Sequence, residues 1–239
     1  MKVDIGGIVM RLDKLTWLEV KQYLKHNKSM IIPAGTCEQH SKHLPLNTDT
    51  LITECVSDFL SEETGIVIAP TINYGINLPC DRYYSGTNSL TEPILQKLLS
   101  SIIEWWKLQG FEKFYILSAH GDPVHIKALS EADRANICVL ELYNLDIEDI
   151  LEKQKKAKHA GEAETSVMLF LYPEIVRKNK IEDFETHFEV FKDYLEHKKI
   201  EPIKGSPGCQ GYPSVATKEK GRIIFSRMKK RASKWIKEN

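Results

Sequence analysis

The sequence predicts an α/β fold, a three-layer α/β/α sandwich built on a mostly parallel sheet. Four short apolar runs, at residues 29–33, 65–70, 114–117 and 137–143, are typical of buried strands. Several stretches between them place apolar residues at helical spacing, which is typical of amphipathic helices. Strands that alternate with helices in this way favour parallel β-α-β units with helices on the faces of the sheet.

Helices are predicted from capping residues and from apolar residues on one face. Thr91 has the side chain of an N-cap, and Gly110 fits a helix end, so a helix is expected over residues 91–110. Residues 182–197 form an amphipathic helix that would close over the site or pack between subunits, with packing favoured. The other predicted helices cover residues 16–27, 51–60, 124–135, 146–157 and 219–237.

Length and charge indicate one domain without a strong electrostatic partner. The 239 residues fit a single domain over residues 1–239 with a sizeable core. The 33 basic and 33 acidic side chains balance, which argues against binding to nucleic acid or to an anionic membrane. No signal peptide or membrane-length apolar run is visible, and the five cysteines form no Cys-x-x-Cys pair. We therefore expect a reduced, cytoplasmic protein.

The first candidate site follows the predicted strand at residues 29–33. Glu38 and His40 lie two positions apart, so in extended chain their side chains point to the same side. A loop through Pro45 can bring Asp49 back to the same point. Each residue alone would more often be a surface or loop residue, but carboxylate and imidazole ligands together suit Zn, Mn or Fe.

This run resembles the signature of the creatininase family of metal-dependent amidohydrolases. The family pattern Pro-x-Gly-(Ser/Thr)-x-Glu-Gln-His-x-x-His-Leu-Pro-Leu-x-Thr-Asp is matched from Pro33 to Asp49. A second family pattern, His-Ala-Gly-x-x-Glu-Thr-Ser-x-Met-Leu, is matched from His159 to Leu169. The resemblance covers nearly the whole chain from Pro33 and implies a homo-oligomer, often a hexamer.

The resemblance also implies roles for residues in the second half of the chain. His120, after the predicted strand 114–117, stands at the position of a metal-binding histidine. Asp122 stands where creatininases proper carry a metal-binding Glu and many relatives carry Gly, so direct binding and binding through water both stay open. Glu164, in the first turns of a helix, is expected to bind metal, and His159 to act as general acid/base or to orient the substrate.

Together these residues predict a centre with two divalent ions bridged by one carboxylate. The expected ligands are Glu38, Asp49 and His120 for one ion, and His40, Asp49 and either Glu164 or Asp122 for the other. Two such ions can activate a hydroxide and polarise a carbonyl, which favours hydrolysis of a carbon–nitrogen amide bond. The predicted enzyme is a metal-dependent amidohydrolase of a small cyclic or formyl amide, with His159 and Glu164 as catalytic residues.

The substrate is not fixed by the resemblance, which covers three reactions. These are creatinine hydrolysis, deformylation of a formamidopyrimidine ribonucleotide in flavin and deazaflavin synthesis, and a peptidase step of mycofactocin maturation. The segment 81–88 departs from the family pattern and supplies Arg82 and Tyr84 as candidate substrate-binding residues. Arg82 could receive a phosphate or carboxylate, although a surface ion pair is the more common role.

Two functions of other classes have weaker support in the sequence. A non-catalytic metal-binding member of the family would retain the scaffold, but the principal ligands are all present. A dinucleotide binder is suggested only by the β-α alternation, and no Gly-x-Gly-x-x-Gly follows a strand.

Overall fold

The computed structural model describes residues 7–133 and 136–239 of the chain. Its strands are β1 (Ser29–Pro33), β2 (Val67–Ile68), β3 (Lys113–Ser118) and β4 (Ile137–Glu141). They form a four-stranded sheet in the order β2-β1-β3-β4, and all pairings are parallel. The carboxyl ends of the strands therefore lie along one edge of the sheet.

Helices cover both faces of this sheet. In chain order they are α1 (Trp17–Tyr23), α2 (Thr48–Thr64), α3 (Glu92–Gln109), α4 (Pro123–Glu131), α5 (Glu162–Leu171), α6 (Phe188–Leu195) and α7 (Lys218–Glu238). An apolar cluster with Ile31 and Leu117 joins α2, α5 and α7, and a second cluster with Ile32 and Ile116 joins α1, α3 and α4. Because neighbouring strand residues point to opposite faces, this packing confirms the predicted three-layer α/β/α sandwich.

The prediction of a helix over residues 146–157 is wrong, because the side chain of Glu162 binds backbone N–H groups of this segment. The segment consists of turns and irregular chain. The buried carboxylate of Glu162 accepts hydrogen bonds from the backbone N–H groups of Glu152, at 2.8 Å, and Lys153, at 3.4 Å. These donors are satisfied without the regular hydrogen bonds of a helix.

The predicted helix over residues 182–197 is too long at its start. The chain ahead of α6 pairs with another segment: the Phe184 N–H donates to the Gly211 carbonyl at 3.0 Å, and the Thr186 N–H donates to Gln210 Oε1 at 3.2 Å. Backbone groups bound in this way are not available to a helix, so α6 begins only at Phe188.

Other elements differ from the prediction mainly at their ends. The strand expected over residues 65–70 contains only Val67–Ile68, and the strand expected over 137–143 ends at Glu141. α4 ends at Glu131, and the predicted helix end at residue 135 lies outside the described residues. In the described ranges, no helix has the length and apolar character needed to cross a membrane.

Candidate metal centre

The candidate site lies where neighbouring strands end. Pro33, at the end of β1, pairs with Leu117 near the end of β3, so the segments that follow both strands start from the same edge. After the loop that follows β1, α2 begins at Thr48 and carries Asp49 in its first turn. The first turn of α5 carries Glu164. Segments far apart in the sequence therefore meet at one edge of the sheet.

Three histidines at this edge each have one ring nitrogen held by a backbone carbonyl. The hydrogen bonds join His40 Nδ1 to Glu38 O (3.1 Å), His120 Nε2 to Ile76 O (2.8 Å) and His159 Nε2 to Gln39 O (2.8 Å). A carbonyl oxygen can only accept, so each of these nitrogens carries the proton. When such a ring is neutral, its opposite nitrogen has a free lone pair, which is the form that binds a metal.

The first group of possible metal donors consists of Glu38, Asp49 and His120. His120 Nδ1 lies 3.2 Å from Glu38 Oε2 and 3.3 Å from Asp49 Oδ2. All three side chains are buried. Two carboxylates and one imidazole at this spacing could hold one divalent ion.

The second group consists of His40, Asp49 and Glu164. His40 Nε2 lies 3.3 Å from Asp49 Oδ1 and 3.7 Å from Glu164 Oε2. Asp49 faces this group with its other oxygen, so a single carboxylate is shared by both groups. His40 also belongs to a third group of possible metal donors, with Glu38 and His159. The ring centres of His40 and His159 lie 4.5 Å apart.

Several donor atoms of these groups have no hydrogen-bond partner among the described residues. They are Glu38 Oε2, His40 Nε2 and Asp49 Oδ2, all buried. Buried polar atoms are normally paired, because leaving one unpaired costs about 1–3 kcal/mol. A divalent cation would supply the missing interaction, and oxygen with imidazole donors suits Zn, Mn or Fe. The residues present therefore fit a metal centre.

The clustered groups shift the pKa values of one another. Burial disfavours the charge of Glu38, but the neighbouring histidines outweigh burial and lower the pKa of Glu38 to about 2. Burial also opposes protonation of His40, yet the Asp49 carboxylate raises the pKa of His40 to about 10. Burial raises the pKa of Glu164 to about 8. A metal cation would replace the protons that these side chains otherwise share.

Asp122 does not belong to any of these donor groups, although it lines the same cavity. Its Oδ1 accepts hydrogen bonds from the N–H groups of Val124, at 2.8 Å, and His125, at 3.0 Å, and so caps α4. Its Oδ2 lies 2.7 Å from His197 Nε2. Both oxygens are thus engaged by the protein, and metal binding by Asp122 stays a prediction.

A cavity of about 720 Å³ is lined by the candidate donors except His40, which is fully buried behind it. Glu38, Asp49, His120, Glu164 and His159 line it. The predicted substrate residues do not: Arg82 Nε donates to the Pro79 carbonyl at 3.0 Å, and the Tyr84 hydroxyl lies 3.4 Å from the Ser206 carbonyl. The structure therefore brings the predicted metal and acid/base residues together but leaves Arg82 and Tyr84 outside this cavity.

Two polar residues at the end of β4 line the cavity, although the sequence patterns did not predict them as site residues. Glu141 ends β4 and Tyr143 follows two positions later. Tyr143 is only 7% exposed, and its hydroxyl has no hydrogen-bond partner among the described residues. Burial raises the pKa of Tyr143 well above its usual value, so the hydroxyl keeps its proton. The only signal in the sequence was a pair of polar side chains near a strand end.

The fold and the site together define a class of protein. Clustered carboxylates and imidazoles at the carboxyl edge of a parallel sheet, beside a cavity, are the arrangement of a metal-dependent hydrolase. The chain belongs to the creatininase family, because the family model described as creatinine amidohydrolase matches residues 13–236. As a member of that family the protein is a metal-dependent amidohydrolase, which confirms the family and enzyme class predicted from the sequence.

Individual relatives agree with this assignment. The chain is 25% identical to the creatinine amidohydrolase of Pseudomonas putida over 241 residues, which cover 89% of this chain and 90% of that protein. It is 27% identical to the mycofactocin precursor peptide peptidase of Mycolicibacterium smegmatis over 208 residues, or 83% of this chain and 80% of that protein. A crystal structure of creatinine amidohydrolase has the same fold, with a TM-score of 0.79, 21% identity and coverage of 96% and 97%. Similar solved structures include a manganese form of creatininase and a mutant creatininase of Zn–Zn type.

Proposed function

We propose that the protein hydrolyses the carbon–nitrogen bond of a small cyclic or formyl amide at a centre of two divalent ions, Zn, Mn or Fe. The observation that carries this proposal is the shared carboxylate of Asp49, whose two oxygens face two different donor groups. A carboxylate that faces both donor groups would let Glu38, His120, His40 and Glu164 hold two ions close enough to activate a water molecule together. The manganese and zinc forms of similar creatininases support the choice of metals.

The proposed ligands are oriented by the protein itself. They are Glu38, Asp49 and His120 for one ion, and His40, Asp49 and Glu164 for the other. When bound, the two ions would lower the pKa of a water molecule and polarise the amide carbonyl. The backbone carbonyls that hold His40 and His120 fix both rings in the metal-binding tautomer.

His159 is proposed as the general acid/base. Its Nε2 donates to the Gln39 carbonyl, and its Nδ1 faces the site 3.6 Å from Glu38 Oε2. Burial lowers the pKa of His159, so the ring is neutral at neutral pH and can accept a proton at Nδ1. The same nitrogen can then return the proton to the leaving amine, which completes a general acid/base cycle.

Glu164 is proposed to act as a ligand rather than to transfer protons. Its Oε2 accepts a hydrogen bond from the Ala160 N–H at 2.6 Å, which fixes the carboxylate against the centre. Because burial raises its pKa to about 8, Glu164 without metal is protonated at neutral pH. Metal binding would therefore displace a proton from this carboxyl group.

The test of the proposed function is removal and return of the metal. Protein treated with a chelator and then given Mn or Zn is assayed on a panel of cyclic and formyl amides. We expect activity to disappear with the metal and to return with it in the parent, but to recover poorly in Glu164→Gln. Glu189→Gln, an exposed change on α6, is the control that should behave like the parent. A parent that holds no metal and cleaves no amide would instead indicate a non-catalytic family member.

The alternative substrate is a formamidopyrimidine ribonucleotide, whose phosphate calls for a cation at the cavity. Arg82 does not line the cavity, but Lys156 does. The ribonucleotide is therefore compared with its dephosphorylated form in the parent and in Lys156→Gln. A preference for the phosphorylated form that Lys156→Gln removes would favour this alternative, and equal rates in the parent would exclude it.

We also propose that the single domain over residues 1–239 forms a homo-oligomer, with the hexamer as the form implied by the family. Four large apolar side chains on α3, Ile94, Leu98, Trp105 and Leu108, are exposed at helical spacing. Exposed apolar stretches of this kind often mark contacts between proteins. Light scattering of the purified protein should give a multiple of the chain mass, and a monomer at micromolar concentration would contradict the proposal.

The cytoplasmic location stays a prediction.

A further inference from the structure

The roof of the cavity is an apolar face of α6. Phe188, Phe191 and Leu195 line the same cavity as the candidate metal donors. They are three and four positions apart, so they share one face of the helix. Phe188 is 66% exposed despite its size. This face therefore borders open space rather than a packed core.

α6 is held in place mainly from its two ends. Ahead of the helix, the backbone of Phe184 pairs with Gly211. Beyond it, His197 Nε2 lies 2.7 Å from Asp122 Oδ2, which also lines the cavity. Within the helix, only Tyr194 is buried. Residues 182–197, which comprise α6 and both of these attachments, form a strap whose apolar face borders the cavity.

The size of the cavity argues for an amide that carries a further group beyond the scissile bond. Its volume of about 720 Å³ lies well within the range of about 300–1,000 Å³ that is typical of sites for drug-sized ligands. A small cyclic amide bound at the metal donors would leave the space beneath α6 filled with water. Apolar side chains in contact with that water favour an apolar ligand group in its place.

We propose that the substrate carries an aromatic or branched aliphatic group next to the scissile amide, and that Phe188, Phe191 and Leu195 bind this group beneath α6. This rests on the proposed amide hydrolysis, because the apolar face lines the same cavity as Glu38, Asp49, His120 and Glu164. The residues that select the substrate are then on α6 rather than in the loop that contains Arg82.

The test compares two amides that differ only in the apolar group. N-methylformamide and N-phenethylformamide are titrated into the metal-loaded protein by calorimetry, and their kcat/KM values are measured on the same samples. We expect the phenethyl compound to be favoured, and Phe191→Ala to reduce that preference about tenfold or more, as for other apolar pockets. Val190→Ala is the matched control, since Val190 is exposed on α6 and does not line the cavity. It should keep the preference of the parent.

Two results would overturn the inference: equal affinity of the parent for both amides, or an equal loss of preference in Val190→Ala and Phe191→Ala. The binding measurement separates this inference from the proposed function. If neither amide is hydrolysed, the proposed function fails, while the calorimetric preference and its loss in Phe191→Ala still decide whether α6 binds an apolar group.

Discussion

The donor cluster at the strand ends and the strap formed by residues 182–197 are held by very different interactions. His40 and Asp49 are 0% and 1% exposed, and both lie within a network of buried charges. In the strap, Phe188 and Val190 are 66% and 51% exposed. Under the proposed roles, the groups that would perform the chemistry are fixed by buried contacts, whereas the surface that would select the substrate is exposed.

The two regions should also respond differently to mutation. Side chains in the cluster are locked by backbone carbonyls and by one another, so changes there should affect kcat and metal content. The strap contributes few buried side chains, so changes there should affect KM and substrate preference.

The largest expected effect is that of His159→Asn. Loss of a general acid/base typically lowers kcat by about 10²–10⁴-fold. Metal content should stay at the parent level, because His159 is in neither of the two groups that share Asp49. Steady-state kinetics and metal analysis check both points, with His26→Asn as an exposed control. A fall in metal content would make His159 a ligand, and an unchanged kcat would remove it from the mechanism.

A second effect concerns stability and pH. Burial, with a further contribution from the charge of His120, lowers the pKa of His125 from 6.5 to about 3. Below pH 6.5 the His125 side chain is therefore protonated in the unfolded chain but stays neutral in the folded protein. The stability from neutral His125 is complete above pH 6.5 and is lost as pH falls toward 3, by up to about 1.4 kcal/mol per pH unit.

Urea unfolding of metal-free protein between about pH 7 and pH 5 measures this effect. The free energy of unfolding should fall less steeply with acid in His125→Gln, which retains an acceptor for the Ile76 N–H. Identical slopes for parent and variant would show that His125 is already protonated in the fold.

The third effect is expected in Tyr143→Phe. If substrate completes the unused hydrogen bond of the Tyr143 hydroxyl, its removal should lower kcat/KM about tenfold, the value of one hydrogen bond. The melting temperature should not fall, since the hydroxyl has no partner among the described residues. Tyr172→Phe, which loses a contact to Cys55 Sγ at 3.1 Å, should show the reverse pattern. Normal activity with reduced stability in Tyr143→Phe would give that hydroxyl a structural role.

The smallest effect is expected where the strap is attached. His197→Ala removes the contact with Asp122. The lost interaction is worth about 1 kcal/mol of binding free energy, so KM should rise severalfold. Hydrogen exchange in α6 should become faster, and the metal content should not change. Asp122→Asn keeps an acceptor for the cap of α4 and should also keep the metal. Loss of an ion from Asp122→Asn would show that this residue is a ligand, as the sequence resemblance allowed.

The sequence predicted the fold best where local pattern and tertiary packing agree. The apolar runs of β1 and β3 are buried as their composition predicts, and the helices between the strands have apolar faces that match the two clusters around the sheet. The prediction of a helix over residues 146–157 is wrong because two backbone N–H groups of the segment donate to Glu162, a residue outside it. No periodicity within a segment reveals an acceptor supplied by another part of the chain.

The same limit applies to the candidate site. The residues brought together around Asp49 lie in continuous motifs, and their clustering follows from the positions of strand ends. Tyr143 and the apolar face of α6 lie outside any motif, and they meet the cavity only because of how distant segments pack. Arg82 is predicted as a substrate-binding residue from its charge alone, but its guanidinium donates to the local Pro79 carbonyl and does not reach the cavity.

The most direct test of the shared-carboxylate centre is a count of metal ions in matched variants. The parent should hold about two ions per chain, as expected for two sites with one common ligand. The variants His40→Gln and His120→Gln should each hold about one ion per chain. Asp49→Asn should hold none, while Asp58→Asn, on the same helix, should match the parent. A parent with a single ion, or an Asp49→Asn variant that retains as much metal as His40→Gln, would contradict the proposed centre.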